Sequence, residues 1–218
     1  MATTEQLQAI ETQLACPQGP KGLDIANMMH QTNINMTLAG WKALRLNPNA
    51  RVLELGHGNA AHVTPLLKQR KDVHYTGLEI SELMCEQAHG YNKEMVKHYR
   101  ATFWHYDGQY IPSFIRAFDG IFSVNTLYFW SKPLDLLMQL KQQLAQFGRL
   151  SLVYMDADFL HSLPFVAQRF AIYQPQEVEQ MLLQVGFEKV RTQTLSDEVT
   201  KPDQSSTKRV FYVTTAQL

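Results

Sequence analysis

Residues 52–60, VLELGHGNA, constrain this chain more tightly than any other stretch. Val52 to Leu55 read as a buried strand, because a short apolar run that stops at a turn signal suits a strand covered on both faces. Gly56 and Gly58 turn the chain, and Asn59 and Ala60 open a helix that continues through His62, Leu66 and Leu67. A strand, a tight glycine turn and a helix start together form a cradle for a nucleotide-like ligand. Glu54 is the odd residue, since a charge inside a buried strand is costly unless paired. The sequence therefore predicts a specific hydrogen-bond partner for it.

Beyond this stretch, strand-like and helix-like segments alternate, which argues for an α/β fold with a mainly parallel sheet. Strands are expected at 51–55, 74–80, 101–106, 118–124 and 149–155. Helices are expected at 60–69, from Ser81 to about 97, and from Pro133 to near Gly148; another opens at Pro175 and closes at Gly186. Segments 187–194 and 208–215 are strand-like and joined only by the polar SDEVTKPDQSST, so they should pair antiparallel as a terminal hairpin. Residues 22–46 read as helical with a break near 33–35, and Asn47-Pro48-Asn49 ends that region. The aromatic-rich connection 156–173 has the length of a functional lid. The expectation is one domain over 1–218, with an N-terminal helical cap (1–46) on a core (47–218).

Composition narrows the partners. Twenty Lys and Arg balance twenty Asp and Glu, and no long basic run is present. A partner held by phosphate neutralisation is thereby disfavoured, so no nucleic-acid partner is expected. Cys16 and Cys85 form no CxxC pair, which suits a reducing cytoplasm and gives no metal site. No apolar run approaches the roughly 18 residues that span a bilayer, so no membrane partner is expected.

The glycine turn acquires meaning from what stands at the other strand ends. Glu79 ends the second strand, 79 − 58 = 21 residues after Gly58, where Rossmann-like folds place an acid on ribose hydroxyls. Asp107-Gly108 ends the third strand, and Asn125 ends the fourth, followed by Thr126, Leu127, Tyr128, Phe129 and Trp130. Open α/β sheets bind ligands at these carboxyl ends. With VLELGHGNA, GLEIS, FWHYDGQYIPSFIRAFDGIFSVNTLYFW and QFGRLSL in this order, residues 22–215 resemble the class I S-adenosylmethionine-dependent methyltransferases. The resemblance implies a Rossmann-like, doubly wound, seven-stranded mixed sheet with an antiparallel last hairpin. It also implies S-adenosyl-L-methionine as cofactor; the neutral charge and the aromatic-rich segment 156–173 add the expectation of a small-molecule, partly apolar substrate.

The same resemblance implies the site. Gly56, Gly58, Asn59 and Ala60 let the backbone approach the methionine end, with Glu54 orienting that loop or meeting the ammonium group. Glu79 holds the ribose and Ile80 lies against the adenine. Asp107 with Gly108 contacts the adenine amino group, and Asn125 faces the methionine moiety. Nicotinamide dinucleotide binding competes for the same turn, but it expects GxGxxG, and Ala61 stands at the third glycine. Methyl transfer is an in-line displacement that needs a general base only for a protonated nucleophile. His30, in NMMHQTN, and Tyr128 are the candidate catalytic residues, against readings as a partly exposed helix histidine and a core aromatic. His57 is expected to face solvent or shape the loop, and His161 to lie on a surface loop. A protein or RNA methyltransferase, expected to show a basic surface, and a non-catalytic scaffold of the same fold are the alternatives.

Overall fold

The computed structural model describes residues 3–166, 169–200 and 206–218. In chain order the elements are α1 (Thr4–Ala15), α2 (Gly19–Ala43), β1 (Arg51–Leu55), α3 (Val63–Gln69), β2 (His74–Glu79), α4 (Glu82–Tyr91), α5 (Lys93–Lys97), β3 (Ala101–His105) and β4 (Phe118–Val124). They continue with a 3-10 turn (Leu127–Phe129), α6 (Pro133–Gln143), β5 (Leu144–Met155), α7 (Ala157–His161), α8 (Pro175–Val185), β6 (Glu188–Thr200) and β7 (Ser206–Gln217). The strands form one seven-stranded sheet in the order β3-β2-β1-β4-β5-β7-β6. β1 to β5 pair parallel, and β7 runs antiparallel between β5 and β6. The expected fold class therefore stands.

The central strands are mostly apolar because helices cover both faces, with Glu54, Thr76, Glu79 and Ser123 as buried polar exceptions. Leu53, Leu55, Leu78 and Ile121 pack with α6 and α8 through Leu137, Leu140, Val178 and Leu182. Val52, Tyr75, Phe103 and Phe122 face the opposite layer with Val63, Leu67 and Ala88. α2 lies against the same side of the sheet, where Met36 meets Val153, Phe211 and Val213. Its buried face runs through Gly22, Ala26, Met36, Thr37 and Gly40 at helical spacing. At Gly40 an added Cβ would come within 2.8 Å of Val153 Cγ2, so the glycine sets how closely helix and sheet approach.

Several boundaries differ from the sequence reading, each for a visible reason. α2 passes through residues 33–35 without a break. Its asparagines are held by tertiary bonds: Arg209 Nη1 donates to Asn33 Oδ1 and Asn35 Nδ2 donates to Asp197. These bonds offset a weak helix propensity. The helix expected up to residue 97 is split at Asn92, whose side chain is recruited elsewhere. Asn92 Nδ2 donates to the carbonyls of Ala60 and Ala88, and its Oδ1 accepts from Thr64 N. α6 ends at Gln143 rather than near Gly148, because Leu144 already pairs with Phe118 and a bulge carries the strand onward to Arg149. The β3–β4 crossover, residues 106–117, contains no helix. The hairpin strands extend over most of the expected polar turn, leaving 201–205 outside the described residues. Among the described residues no helix is long and apolar enough to cross a membrane.

Candidate functional site

The carboxyl ends of β1, β2 and β4 open into a crevice roofed by α1 and α2. Gly56 and Gly58 make the floor turn with φ of 75° and 56°, where glycine carries no penalty. A Cβ on Gly56 would collide with Thr126 Cγ2, and one on Gly58 would project into open space. The turn is therefore shaped so that backbone itself borders the crevice. Ala60 also has a positive φ, 52°, but it is fully buried and lies outside the crevice wall. Asn59 does border the crevice; its Nδ2 donates to Asn27 Oδ1 on α2 and its Oδ1 accepts from Ala61 N.

Glu79 is the anchor of the crevice. Its Oε2 accepts from Gly58 N at 2.9 Å, while Oε1 accepts from Ile80 N at 2.8 Å and Ser81 N at 3.1 Å. Two carboxylate oxygens offer about four lone-pair sites, so these three bonds leave one free for a ligand hydroxyl. Ile80, Tyr106, Gly108 and Trp130 wall the side beyond it. Asp107 is not part of that wall. Its carboxylate turns back to accept from Gln109 N and Tyr110 N, and those bonds hold it below the usual carboxylate range. The structure thus brings Gly108, but not the Asp107 side chain, to the crevice.

The partner demanded for Glu54 is found in two side chains. His62 Nε2 lies 2.7 Å from Glu54 Oε2, and the Tyr75 hydroxyl donates to the same oxygen at 2.5 Å. All three are buried. Burial and the neighbouring carboxylate push the Tyr75 hydroxyl well above its ordinary range, so it stays a donor. The His30 ring stacks beside His62 with centroids 6.2 Å apart. Burial, and then the neighbouring His62, lower the His30 pKa. Of the two expectations for His57, facing solvent or shaping the loop, the second fits: its ring packs edge-on against Phe103 with Nδ1 2.7 Å from Gly58 O in the turn. Its Nε2 is buried without a partner among the described residues. Gly77, directly across, makes room for that ring.

Asn125 adopts φ 57°, a left-handed conformation that asparagine tolerates. Its Oδ1 accepts from the Tyr128 hydroxyl and its Nδ2 donates to Met36 Sδ. Tyr128, the second candidate catalytic residue, lines an apolar cavity beside the crevice with its ring, while its hydroxyl is engaged in the fold. Its hydroxyl also accepts from Met155 N, and burial raises its pKa far beyond the range of a proton carrier. It is a structural brace between β4 and β5.

A second, larger cavity of about 640 Å³ continues from the crevice. Leu14, Met29, Asn33, Asn125 and Phe129 border both. Its walls are Met28, Tyr128, Met155, Phe159, Leu160, Leu163, Phe165 and Phe170, so the 156–173 segment supplies much of it. His30 and His62 border the crevice and not this cavity. His161 borders neither, and it is exposed as expected.

The crevice fits the cofactor that the resemblance implies: a glycine cradle open to a ligand, a strand-end carboxylate with a free lone pair, and a flat apolar wall. Sequence reasoning missed His62, Tyr75 and Asn27. His62 carried a usable signal, since it stands eight residues after an acid that had to be paired.

Comparison with known proteins agrees with this geometry. Residues 52–148 match a family model described as a methyltransferase domain. The tRNA U34 carboxymethyltransferase of Vibrio atlanticus (strain LGP32) is 32% identical over 165 residues, covering 69% of this chain and 50% of its own. The protein of the same name from Vibrio vulnificus (strain YJ016) is 30% identical over 181 residues, covering 77% and 55%. The chain thus spans about half the length of these curated relatives. The plantazolicin methyltransferase BpumL, solved in complex with SAH, superposes with a TM-score of 0.70 at 17% identity over 98% of both chains. A SAM-dependent methyltransferase from Aquifex aeolicus gives 0.64 at 19% identity over 95% of this chain and 97% of its own. At these identities the solved structures establish the fold.

The relatives named for tRNA overturn the exclusion of a nucleic-acid partner. That exclusion rested on zero net charge and on the lack of a long basic run along the sequence, whereas cations that meet phosphates need only be gathered on one face by the fold.

Proposed function

We propose that this chain, matched over residues 52–148 by a methyltransferase-domain model and folded like solved S-adenosylmethionine-dependent methyltransferases, transfers a methyl group from S-adenosylmethionine to an acceptor entering from the second cavity. The observation that carries this reading is Glu79, a strand-end carboxylate tied to Gly58, Ile80 and Ser81 with one lone pair left for the ribose. When bound, the cofactor supplies a methyl group on a sulfonium, open to in-line displacement. Gly56 and Gly58 admit its methionine end, Glu54 sets the charge beneath that end, and Ile80 with Gly108 lines the adenine side. Asn125, fixed by Tyr128, stands where crevice and cavity meet and aligns donor with acceptor. The apolar cavity walls exclude water from the reacting atoms. His30 is half-buried and its pKa is lowered, so it is neutral at pH 7 and able to take a proton. It borders only the donor crevice, which favours a donor-side role for it over contact with the acceptor.

The acceptor proposed first is a nucleobase of RNA, supported by the relatives named for U34 of tRNA. A single-stranded base can be splayed out and stacked on aromatic rings such as Phe129 and Phe170. A second reading, a small apolar molecule, is favoured by the composition of the same cavity, whose walls are mostly Met, Leu and Phe. On either reading the transferred group is a methyl rather than the carboxymethyl of the relatives' name. A carboxymethyl donor brings a second carboxylate beside the one at its amino-acid end, and among the described residues lining the two cavities the one Lys or Arg is Arg209. Its guanidinium is already bonded to Asp197, Asn33 Oδ1 and Thr32 O.

The test is transfer of a labelled methyl group from S-adenosylmethionine to two pools, unmodified tRNA and an extract of small aromatic and aliphatic metabolites. Label in tRNA that nuclease P1 and then a phosphatase release as a modified nucleoside is the expected result. Label confined to the solvent-extractable pool moves the acceptor to the second reading. No label in either pool at saturating donor overturns the transferase reading.

A further inference from the structure

The β3–β4 crossover, residues 106–117, lays no helix over the edge of the sheet, and one face of β3 stays exposed at Thr102 and Trp104. Side chains of a strand alternate between faces, so Thr102, Trp104 and Tyr106 share this one. Thr102 borders a polar cavity of about 320 Å³ at the amino ends of β1 and β2. Trp104 is 51% exposed, and Tyr106 borders the donor crevice. A single strand face therefore leads from that cavity to the crevice.

Two guanidiniums share the cavity, Arg51 and Arg116. Arg51 lies over the Phe118 ring, 4.8 Å from its centroid, and its Nη1 donates to the carbonyls of Arg116 and Ala117. Neither guanidinium forms an ion pair among the described residues. Asp119 accepts from the backbone N of Arg51 and does not line the cavity. Burial and the Arg116 charge lower the Arg51 pKa by more than Asp119 raises it. Asn49, His74, Tyr99 and Thr102 add further hydrogen-bonding groups around the pair. Two cations gathered without an acid between them suit an anion with several acceptor oxygens.

Trp104 supplies a second kind of contact. Its ring meets Phe114 edge-on at 6.4 Å, and Phe114 meets Phe118 at 5.0 Å, so the exposed indole is fixed to the ring on which Arg51 rests. Cations that track a phosphate backbone beside an aromatic face that stacks a base are how single nucleic-acid strands are held. An acidic polypeptide would answer the cations alone.

We propose that Arg51, Arg116 and Trp104 form a docking strip for a single-stranded segment of RNA, with the guanidiniums on a phosphodiester and the indole on a base. The inference rests on the RNA acceptor proposed above and goes beyond it by placing a second contact on the β3 side of the sheet. The acceptor cavity lies on the other side of the crevice, where Asn125 and Met155 end β4 and β5. Phosphate contacts position a substrate rather than read it, so the strip orients the RNA while the cavity takes one base.

The experiment is fluorescence anisotropy with labelled, unmodified tRNA on the wild type, Arg116→Gln and Trp104→Ala. Both side chains are exposed and outside the crevice, so unchanged affinity for S-adenosylhomocysteine reports that each variant is folded. Arg116→Gln is expected to weaken tRNA binding about tenfold at low salt and to reduce the slope of log affinity against log salt by about one. Trp104→Ala is expected to weaken binding about tenfold with the slope unchanged, because stacking releases no counterions. Polyglutamate at equal charge concentration is expected to displace tRNA poorly from the wild type. Wild-type tRNA affinity in either variant overturns the inference. Displacement by polyglutamate as effective as by unlabelled tRNA also overturns it and assigns the strip to an acidic polypeptide. The labelled-methyl assay tests the acceptor reading separately. Label in tRNA with both variants binding as the wild type removes the strip alone, whereas a wild type that neither binds nor labels tRNA removes both.

Discussion

Glu79→Ala should weaken S-adenosylhomocysteine binding by about a hundredfold, near 2.7 kcal/mol, within the range for loss of charge-assisted hydrogen bonds in a buried site. Two losses combine. The ribose loses its carboxylate acceptor, and the glycine turn loses the bond from Gly58 N that sets its distance from β2. Ile80 N and Ser81 N are also left without their acceptor, although Ser81 keeps its own role as the cap of α4 through Met84 N. Glu79→Gln separates the two effects. It retains one oxygen and the shape, and should weaken binding by only about tenfold, since one acceptor of the pair survives. Calorimetry on both variants, with circular dichroism to check the fold, reads the difference. Wild-type affinity in Glu79→Ala would remove the ribose from this strand end.

The largest effect on stability is expected at Arg209. Its guanidinium, 2% exposed, makes two bonds to Asp197 on the neighbouring strand and two to α2, at Asn33 Oδ1 and Thr32 O. One side chain thus ties the terminal hairpin to the helix that roofs both cavities. Arg209→Ala leaves the Asp197 carboxylate, 8% exposed, with Asn35 Nδ2 as its one side-chain partner among the described residues. Removing one member of a buried ion pair typically costs about 3–5 kcal/mol, because the other charge stays desolvated. For a chain of this size that corresponds to a fall in Tm of roughly 10 °C. Removing both, in Arg209→Met with Asp197→Leu, should recover most of the loss, because no uncompensated charge remains. Urea unfolding of the two variants checks this. If the single and double variants are equally destabilised, packing rather than the ion pair is what Arg209 supplies.

Arg209 and Asp197 also mark where the sequence was hard to read. Asp197 falls within SDEVTKPDQSST, which its composition marks as a turn, yet the ladder continues to Thr200 and pairs Asp197 with Arg209. Local polarity spoke for a loop, and a cross-strand ion pair beneath α2 overrode it. The same override joined α2 across residues 33–35 and split α4 from α5 at Asn92. In each case a polar side chain judged by its own propensity was bonded to a residue far away in sequence.

The site divides in the same way. Gly56, Gly58, Glu79, Ile80, Gly108 and Asn125 were legible because each stands at a strand end whose position follows from hydrophobic runs and turn signals, and all border the crevice. Asp107 has the right place but the wrong direction, since its carboxylate caps its own turn. Tyr128 has the right place as well, but bonds to Asn125 and Met155 consume its hydroxyl. The small-molecule acceptor inferred from neutral charge has weakened for a related reason: composition has no direction and cannot locate a binding face.

By itself the sequence determined the α/β alternation, the order of the strands' functional ends and the need for Glu54 to be paired. These are local or periodic properties, written in the spacing of apolar residues and in where glycine interrupts them. Only the tertiary structure decided that His62 and Tyr75 answer Glu54, that His57 turns inward, and that Leu14, Met29, Asn33, Asn125 and Phe129 join the crevice to a larger apolar cavity. Those outcomes depend on which way side chains point once α2 crosses the sheet, and such directions are set by packing between segments distant in the chain.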